Sequence, residues 1–493
     1  MTLWMLIGLL SSFGSSSCLA NDLKSVVASK PFPESYILAE IAAQILEENS
    51  VRVDRKFGLG ATGIVFEAIT RGEIVLYPEY SGTIAEAFLK NPALRELGKI
   101  QEKIGSLGLE MTDSLGFNNT YALAVRREFA EKNHLISLSD LARIPTARFG
   151  LTNEIMNRQD GYPGLARRYS LNPVEIHEMQ HSLAYRALER GEIDVTDVYS
   201  TDATIKRLDL FVLKDDLGYF PNYQAVFLAR RDWITKNAAA WKRLKQLEGK
   251  ISAEEMVSLN AMVETDHRSF HDVAEFFLKG SNSAPKANWE KAHALWRRTL
   301  EHLRLVLISL GSSILVGLPL GVLAFYKRGI SRIILNVSAL IQTIPSLALL
   351  AFLIPLFGIG EKPAIFALFL YGLLPVVLNT YSGLDGVDPK LRESAIGLGL
   401  AEKDILRRVL LPLASPSILT GIRTSAVIGI GTATLAALIG AGGYGAPIMT
   451  GLALNDIPTL LEGAIPAACM ALLAQWGLDR IAEQIIPAGL KRK

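Results

Sequence analysis

Apolar residues are spread unevenly along this 493-residue chain, and that segregation limits the possible folds more than any other feature. From about Leu305 onward, apolar runs follow one another, each near the ~20 residues that a bilayer crossing needs. They fall at about 304–326, 333–357, 363–384, 416–440 and 458–478, which predicts an all-α membrane domain of about five transmembrane helices. Before Leu305, charged and apolar residues alternate as they do in a domain surrounded by water. A mean hydropathy of +0.26 beside 20% charged residues fits a chain that joins both kinds of unit. A formal net charge of +2 gives no basis for nucleic-acid binding.

Basic residues orient the apolar runs. Lys327, Arg328 and Arg332 follow the first; Lys390, Arg392, Lys403, Arg407 and Arg408 follow the third; Lys491, Arg492 and Lys493 follow the fifth. The two intervening loops, 358–362 and 440–458, carry only Lys362. Basic loops stay on the cytoplasmic side, so the amino-terminal domain is expected outside, at a bacterial inner membrane. Residues 1–20 agree independently. Leu3 to Leu10 is a short apolar run, followed by small residues up to Cys18-Leu19-Ala20, as in a signal peptide that is cleaved or kept as an anchor. Pro345, Pro355, Pro375 and Pro466 are expected to break up the spans.

One polar, cation-rich stretch lies between long apolar runs, from Asp388 to Pro416. In it Glu393-Ser394-Ala395 is followed after three residues by Gly399, and after nine more by Val409-x-Leu411-Pro412. Glycine permits a sharp turn between two short helices, and proline is expected to close the second. An interfacial amphipathic helix is the plainer alternative. The spacing resembles the EAA motif of ABC-importer permeases, which docks into a separate ATPase. That resemblance implies coupling roles for Glu393, Ser394, Ala395, Gly399, Leu411 and Pro412. It also implies a permease homodimer in the lipid bilayer and ATP bound by the partner subunit, with no cofactor in this chain.

Between about residues 21 and 280, short β-rich runs alternate with helical ones, the signature of a parallel sheet with helices on its faces. Ala68 to Thr83 (AITRGEIVLYPEYSGT) aligns without a gap on Ala187 to Asp202 (ALERGEIDVTDVYSTD). Each copy reads as helix, glycine turn and strand, ending in Tyr80 or Tyr199. Ligands of open α/β sheets bind beyond such strand ends, so two related lobes would aim tyrosines at one cleft. Chance likeness of short strand–loop units is the alternative. Residues 281–303 read as a linker and a surface helix, and 304–493 as the membrane domain.

The stretches SKPFPES (29–35), GEIVLYPEYSGT, GFNNTYALAV (116–125), NRQDGYPGL (157–165), DVYSTD and PNYQA (221–225) resemble the substrate-binding proteins of osmoprotectant importers. TLEHLRLVLISL (299–310) resembles the permease of the same family. The resemblance implies a two-lobed type II periplasmic-binding-protein domain, its second lobe at about 118–222, fused to a type I ABC importer permease. It implies a quaternary-ammonium ligand such as glycine betaine, choline or carnitine, and ergothioneine importers share the fused form. Tyr80, Tyr121, Tyr199 and Tyr223 would form an aromatic cage. A quaternary ammonium donates no hydrogen bond, so ring faces hold it by cation–π attraction. Lys30, Thr83 and Arg158 would hold a carboxylate, and Asn119 would add a polar contact. Taken singly, any of these tyrosines could simply be packed at a lobe edge.

No G-x-x-x-x-G-K-[ST] phosphate loop and no metal-spaced Cys/His cluster occurs in the sequence. The glycine-rich runs 58–63 and 441–445 read as a turn and an outer hairpin. Scattered histidines offer no hydrolytic triad, so the chain reads as a transporter subunit rather than an enzyme. A ligand-gated receptor or channel with a two-lobed external domain is the alternative. It requires a re-entrant filter among the spans, and none is read from the sequence.

Overall fold

The computed structural model describes residues 25–60, 62–91, 94–158, 160–280, 288–454 and 456–486. The expected signal peptide, residues 281–287 of the stretch read as linker and surface helix, and Lys491 to Lys493 lie outside the described residues.

Ten strands form two sheets of five. They are β1 (Ser25–Ala28), β2 (Val53–Lys56), β3 (Leu76–Tyr80), β4 (Leu109–Met111), β5 (Tyr121–Arg126), β6 (Arg148–Thr152), β7 (Glu175–Met179), β8 (Val195–Tyr199), β9 (Leu210–Val212) and β10 (Ala225–Arg230). The first sheet runs β2-β1-β3-β10-β4 and the second β7-β6-β8-β5-β9. The sheets are mixed rather than parallel as expected: in each, the fourth strand is antiparallel to its neighbours, because it enters by a crossover from the other lobe. The crossovers lie side by side: Asn118 bridges Gln224, and the Asn118 side chain accepts from the Tyr223 N–H at 2.6 Å.

The repeat seen in the sequence is a repeat of structure. Helix α1 (Pro33–Glu48) precedes it and buries Ile37, Ile41 and Ile45 at helical spacing against the first sheet. Helix α2 (Thr62–Thr70) then turns at Gly72 into β3, as α3 (His181–Glu189) turns at Gly191 into β8. Arg230 at the end of β10 donates to the Ile69 carbonyl, and Arg126 at the end of β5 donates to that of Leu188. These pairs cap the two helices in the same way. Helix α4 (Ala253–Glu264) packs against α1 and follows the sheets.

The membrane domain opens with α5 (Asn288–Tyr326), a single helix that joins the polar segment to the first span. The second run departs from expectation. Helices α6 (Arg328–Thr343) and α7 (Ser346–Phe357) meet at 99°, the shape of a broken span or a re-entrant loop, where one helix was read. The cause is local: Pro345 has no N–H to continue the helix, and Ile344 before it is pushed to an extended ψ of 126°. Pro355, Pro375 and Pro466, also expected to break spans, lie inside helices. Helix α8 (Glu361–Asp385) is about 37 Å long, enough to cross a bilayer. Helices Pro389–Gly397 and Glu402–Ile405 follow, then α9 (Leu411–Ala433), α10 (Gly445–Leu454) and α11 (Ile457–Ile485).

Gly399 makes the expected turn at φ +79, where any side chain would be strained. Pro412 does not close the second short helix. A π turn at Leu406–Leu410 widens the helix before the proline ring, and one helical span runs from Glu402 to Ile439.

The two-lobed unit sits on the end of the bundle where α8 begins. The short helices after Asp385 lie at the opposite end. From the first lobe, Arg71 donates to the Pro355 carbonyl at 3.1 Å, and the Glu73 carboxylate accepts from the Ile359 N–H at 2.7 Å. From the second lobe, Ser182 donates to the Leu452 carbonyl at 3.0 Å.

Candidate functional site

The four predicted tyrosines converge. Tyr80 ends β3 and Tyr199 ends β8, as the repeat requires. Tyr121 opens β5 opposite Tyr199 in the ladder, and Tyr223 lies at the second crossover. The Tyr121 ring stands 5.1 Å from Tyr199 and 5.6 Å edge-on from Tyr223. Tyr80 reaches Tyr199 through Phe32, whose ring lies 6.1 Å from one and 5.8 Å from the other. Tyr223 lies over Gly82, where a Cβ would come within 2.6 Å of the ring. Phe32 was missed as a wall of this cage, although it stands in the SKPFPES stretch.

Carboxylates hold the phenols. The Tyr80 hydroxyl donates to Glu34 and that of Tyr223 to Asp160. Glu34 is only 2% exposed and also accepts from Thr201 of the second lobe, from Asn119 at 2.9 Å and from Asn260 of α4 at 3.4 Å. Burial pushes its carboxyl above the ordinary range, against these four hydrogen bonds. Glu34 thus ties together both lobes and α4. Reasoning from the sequence passed over it because an isolated glutamate in a helix's first turn reads as an ordinary dipole partner.

The two predicted cations are close at hand but already paired. Lys30 is 2.6 Å from Glu79 and 4.9 Å from the Tyr80 ring centre. Arg158 donates to Asp160 at 2.8 Å and lies 5.8 Å from the Tyr121 ring. Each could still offer charge to a ligand carboxylate, though only in competition with its own carboxylate partner. Thr83 is buried one turn beyond Tyr80. Asn119 precedes β5 rather than lying in it, and it points to the cage through Glu34.

Beside the cage, Phe32, Glu34, Asn119 and Tyr199 form one wall of a cavity of about 320 Å³, within the range of small-ligand sites. Two buried acceptors there, Asn119 Oδ1 and Asn260 Oδ1, have no hydrogen-bond partner. His181 also lines the cavity, 4.8 Å from the Tyr199 ring and 2.9 Å from Asp202. Burial alone would push the His181 imidazole down, but the Asp202 charge and hydrogen bond carry it up to about 9. A group raised above its unfolded pKa stabilises the fold below that lower value and loses the effect as pH passes the folded one. The melting temperature of the full chain should therefore fall as pH rises from about 6.5 to 9, with up to about 3 kcal/mol lost. In His181→Gln that slope should flatten. An unchanged slope in a scan of melting temperature against pH would rule out the pair as its source.

Two lobes that close tyrosines over a cleft, seated on a bundle of apolar helices, define a receptor domain fused to a membrane permease. The chain belongs to the family described as the substrate binding domain of ABC-type glycine betaine transport systems, matched over residues 25–280. Residues 313–488 match the binding-protein-dependent transport system inner membrane component. An ergothioneine transport permease/ergothioneine binding protein, EgtU of Helicobacter pylori, is 41% identical over 261 residues, 52% of this chain and 47% of that protein. That alignment thus spans about half the length of the relative. The choline transport system permease protein OpuBB of Bacillus subtilis is 45% identical over 196 residues, 40% of this chain and 90% of that protein. A glycine betaine/carnitine/choline ABC transporter crystal structure is 32% identical, covering 52% of this chain and 98% of its own, with a TM-score of 0.46.

Proposed function

We propose that this chain is the membrane subunit of an ATP-driven importer that captures a quaternary-ammonium compound in its tethered, extracytoplasmic receptor. The observation that carries the reading is the convergence of Tyr80, Tyr121, Tyr199 and Tyr223, with Phe32 between two of them, on one cleft. Glu79, Glu154 and Asp160 face the cations Lys30 and Arg158 around it, with the buried carboxyl of Glu34 beside them, and this acidic excess favours a positively charged guest. Two permease domains would pair, with two copies of a separate ATPase against the 388–416 segments. Ligand would close the lobes, and ATP binding would switch the spans from outward to inward access. The two family matches favour this importer over a ligand-gated channel, even though the α6–α7 break could pass for a re-entrant segment.

The unpartnered Asn119 and Asn260 oxygens favour a ligand that brings its own N–H or O–H donor. Choline and ergothioneine, the cargoes named for OpuBB and EgtU, both do, and glycine betaine does not. Calorimetry on the full chain in detergent, with glycine betaine, choline, carnitine, ergothioneine and plain histidine, tests this. Binding of a donor-bearing trimethylammonium compound at least about tenfold tighter than glycine betaine is expected. Heat from none of the quaternary amines would sink the cage reading.

A further inference from the structure

A cavity of about 1010 Å³ lies at the joint between the receptor and the spans, and none of the cage tyrosines lines it. The end of α4 and the turn after it, Val263 to Asp272, roof this space. The first part of α5, Ala292 to Arg298, and of α11, as far as Pro466, wall it. Its size is at the upper end for small-ligand sites. Along α11, from Asp456 to Pro466, it is about 15 Å long. A headgroup layer is roughly 5–8 Å thick, so the cavity runs through that layer into hydrocarbon.

The lining changes along that length. Asp456 and Glu462 fall in the first two turns of α11, and Arg268 and Asp272 face the same space from the receptor. Deeper, the wall is apolar and bare: Leu295 of α5 and Leu461 and Ile465 of α11 are 42%, 42% and 55% exposed. The charges are not closed on one another. Arg298 stands 3.6 Å from Glu462, beyond the roughly 2.7–2.9 Å of a charge-assisted hydrogen bond. Arg268 lies 5.2 Å over the Phe276 ring and donates to the Asp272 carbonyl at 3.5 Å. Among the described residues it has no carboxylate at ion-pair distance. The Oδ1 of Asp272 is buried and has no hydrogen-bond donor.

We infer that this cavity holds a membrane phospholipid whose headgroup carries both a phosphate and a primary ammonium. The phosphate falls to Arg268 and Arg298, since guanidinium groups match its oxygens. The ammonium falls to Asp272, Asp456 and Glu462, and its N–H groups supply the donor that Asp272 lacks. A quaternary ammonium has no such donor, and a purely anionic headgroup would meet three carboxylates. The acyl chains then run along Leu461 and Ile465. His267, in the left-handed region at φ +53, lines both this cavity and the one beside the cage. One turn of chain thus separates lipid from cargo, and the lipid is a strut beneath the end of α4. The inference goes beyond the importer reading and stands whichever cargo the cage takes.

The test uses the full chain in detergent, sprayed intact into a mass spectrometer with dioleoyl phosphatidylethanolamine, phosphatidylcholine or phosphatidylglycerol added at equal concentration. Phosphatidylethanolamine should be retained, one per chain, at least about fivefold more than either of the others. Arg268→Gln with Arg298→Gln should lower that retention about tenfold. Leu461→Trp, which fills the apolar end and leaves every charge in place, should lower it as well. The melting temperature without lipid checks that each variant folds. Equal retention of the three lipids, or folded variants that hold phosphatidylethanolamine as the parent does, would overturn the site and leave only annular lipid. A preference for phosphatidylglycerol would overturn the ammonium-bearing headgroup.

Discussion

Replacing Tyr199 by alanine should weaken binding of the trimethylammonium ligand about 30- to 100-fold, while Tyr199→Phe stays within about threefold of the parent. Tyr199 is the ring on which the cage turns. It stacks on Phe32, meets Tyr121 and lies over His181. A desolvated cation over such a face gains up to about 2 kcal/mol, roughly 30-fold in affinity, and the lost ring area adds to it. The hydroxyl matters little, because its contact with Glu154 is long, at 3.5 Å. Tyr199 also lies at a strand end and is less buried than Tyr121 or Tyr223, so the fold should survive the change. Calorimetry on the full chain decides the matter. A Tyr199→Ala affinity within threefold of the parent would mean that this ring packs between lobes and does not hold the ligand.

Much of this arrangement is legible in the residues. The repeated Arg-Gly-Glu-Ile turn gives away two lobes, because helix, glycine turn and strand recur with a tyrosine in register at each end. The apolar runs give the spans, since their length is dictated by the bilayer. What was hidden depends on contacts between distant parts of the chain. Glu34 matters through partners at 80, 119, 201 and 260, and no local pattern joins those positions. The pairing of Lys30 with Glu79 and of Arg158 with Asp160 likewise tempers a role read from residue type alone. The α6–α7 bend and the straight passage through Pro412 show a local rule with two outcomes. At Pro345 the residue before proline takes the extended conformation, whereas at Pro412 a π turn upstream absorbs the strain. Periodicity alone does not distinguish the two prolines.

Glu393→Arg should reduce ATP-driven uptake about a hundredfold while leaving ligand affinity within twofold. The two readouts separate because the residue lies beyond one end of α8 and the receptor lobes sit beyond the other, and that helix alone is about 37 Å long. Glu393 is exposed on Pro389–Gly397, a helix capped by Asp388, while Ala395 on the same helix is buried against Leu384, Ile405, Leu410 and Ala414. The helix is therefore fixed to the bundle on one face and open on the other. Arg392 ties it to the next short helix through Glu402 at 2.8 Å, so the segment can transmit a push as one body. Its open side carries Leu391, Ile396 and Leu398, which are 46%, 52% and 81% exposed. Apolar side chains left bare beside Glu393 and several cations are what a protein partner covers. An ATPase with a cleft for this segment would meet a reversed charge at the centre of the contact, and charge reversal there costs several kcal/mol, enough for a hundredfold loss. Lipid contact is the competing explanation for the bare leucines, and it predicts the opposite result. An added arginine would then strengthen attachment to anionic headgroups and leave uptake intact. Undiminished uptake at normal protein levels, with the ATPase still co-purifying, would sink the coupling role of Glu393.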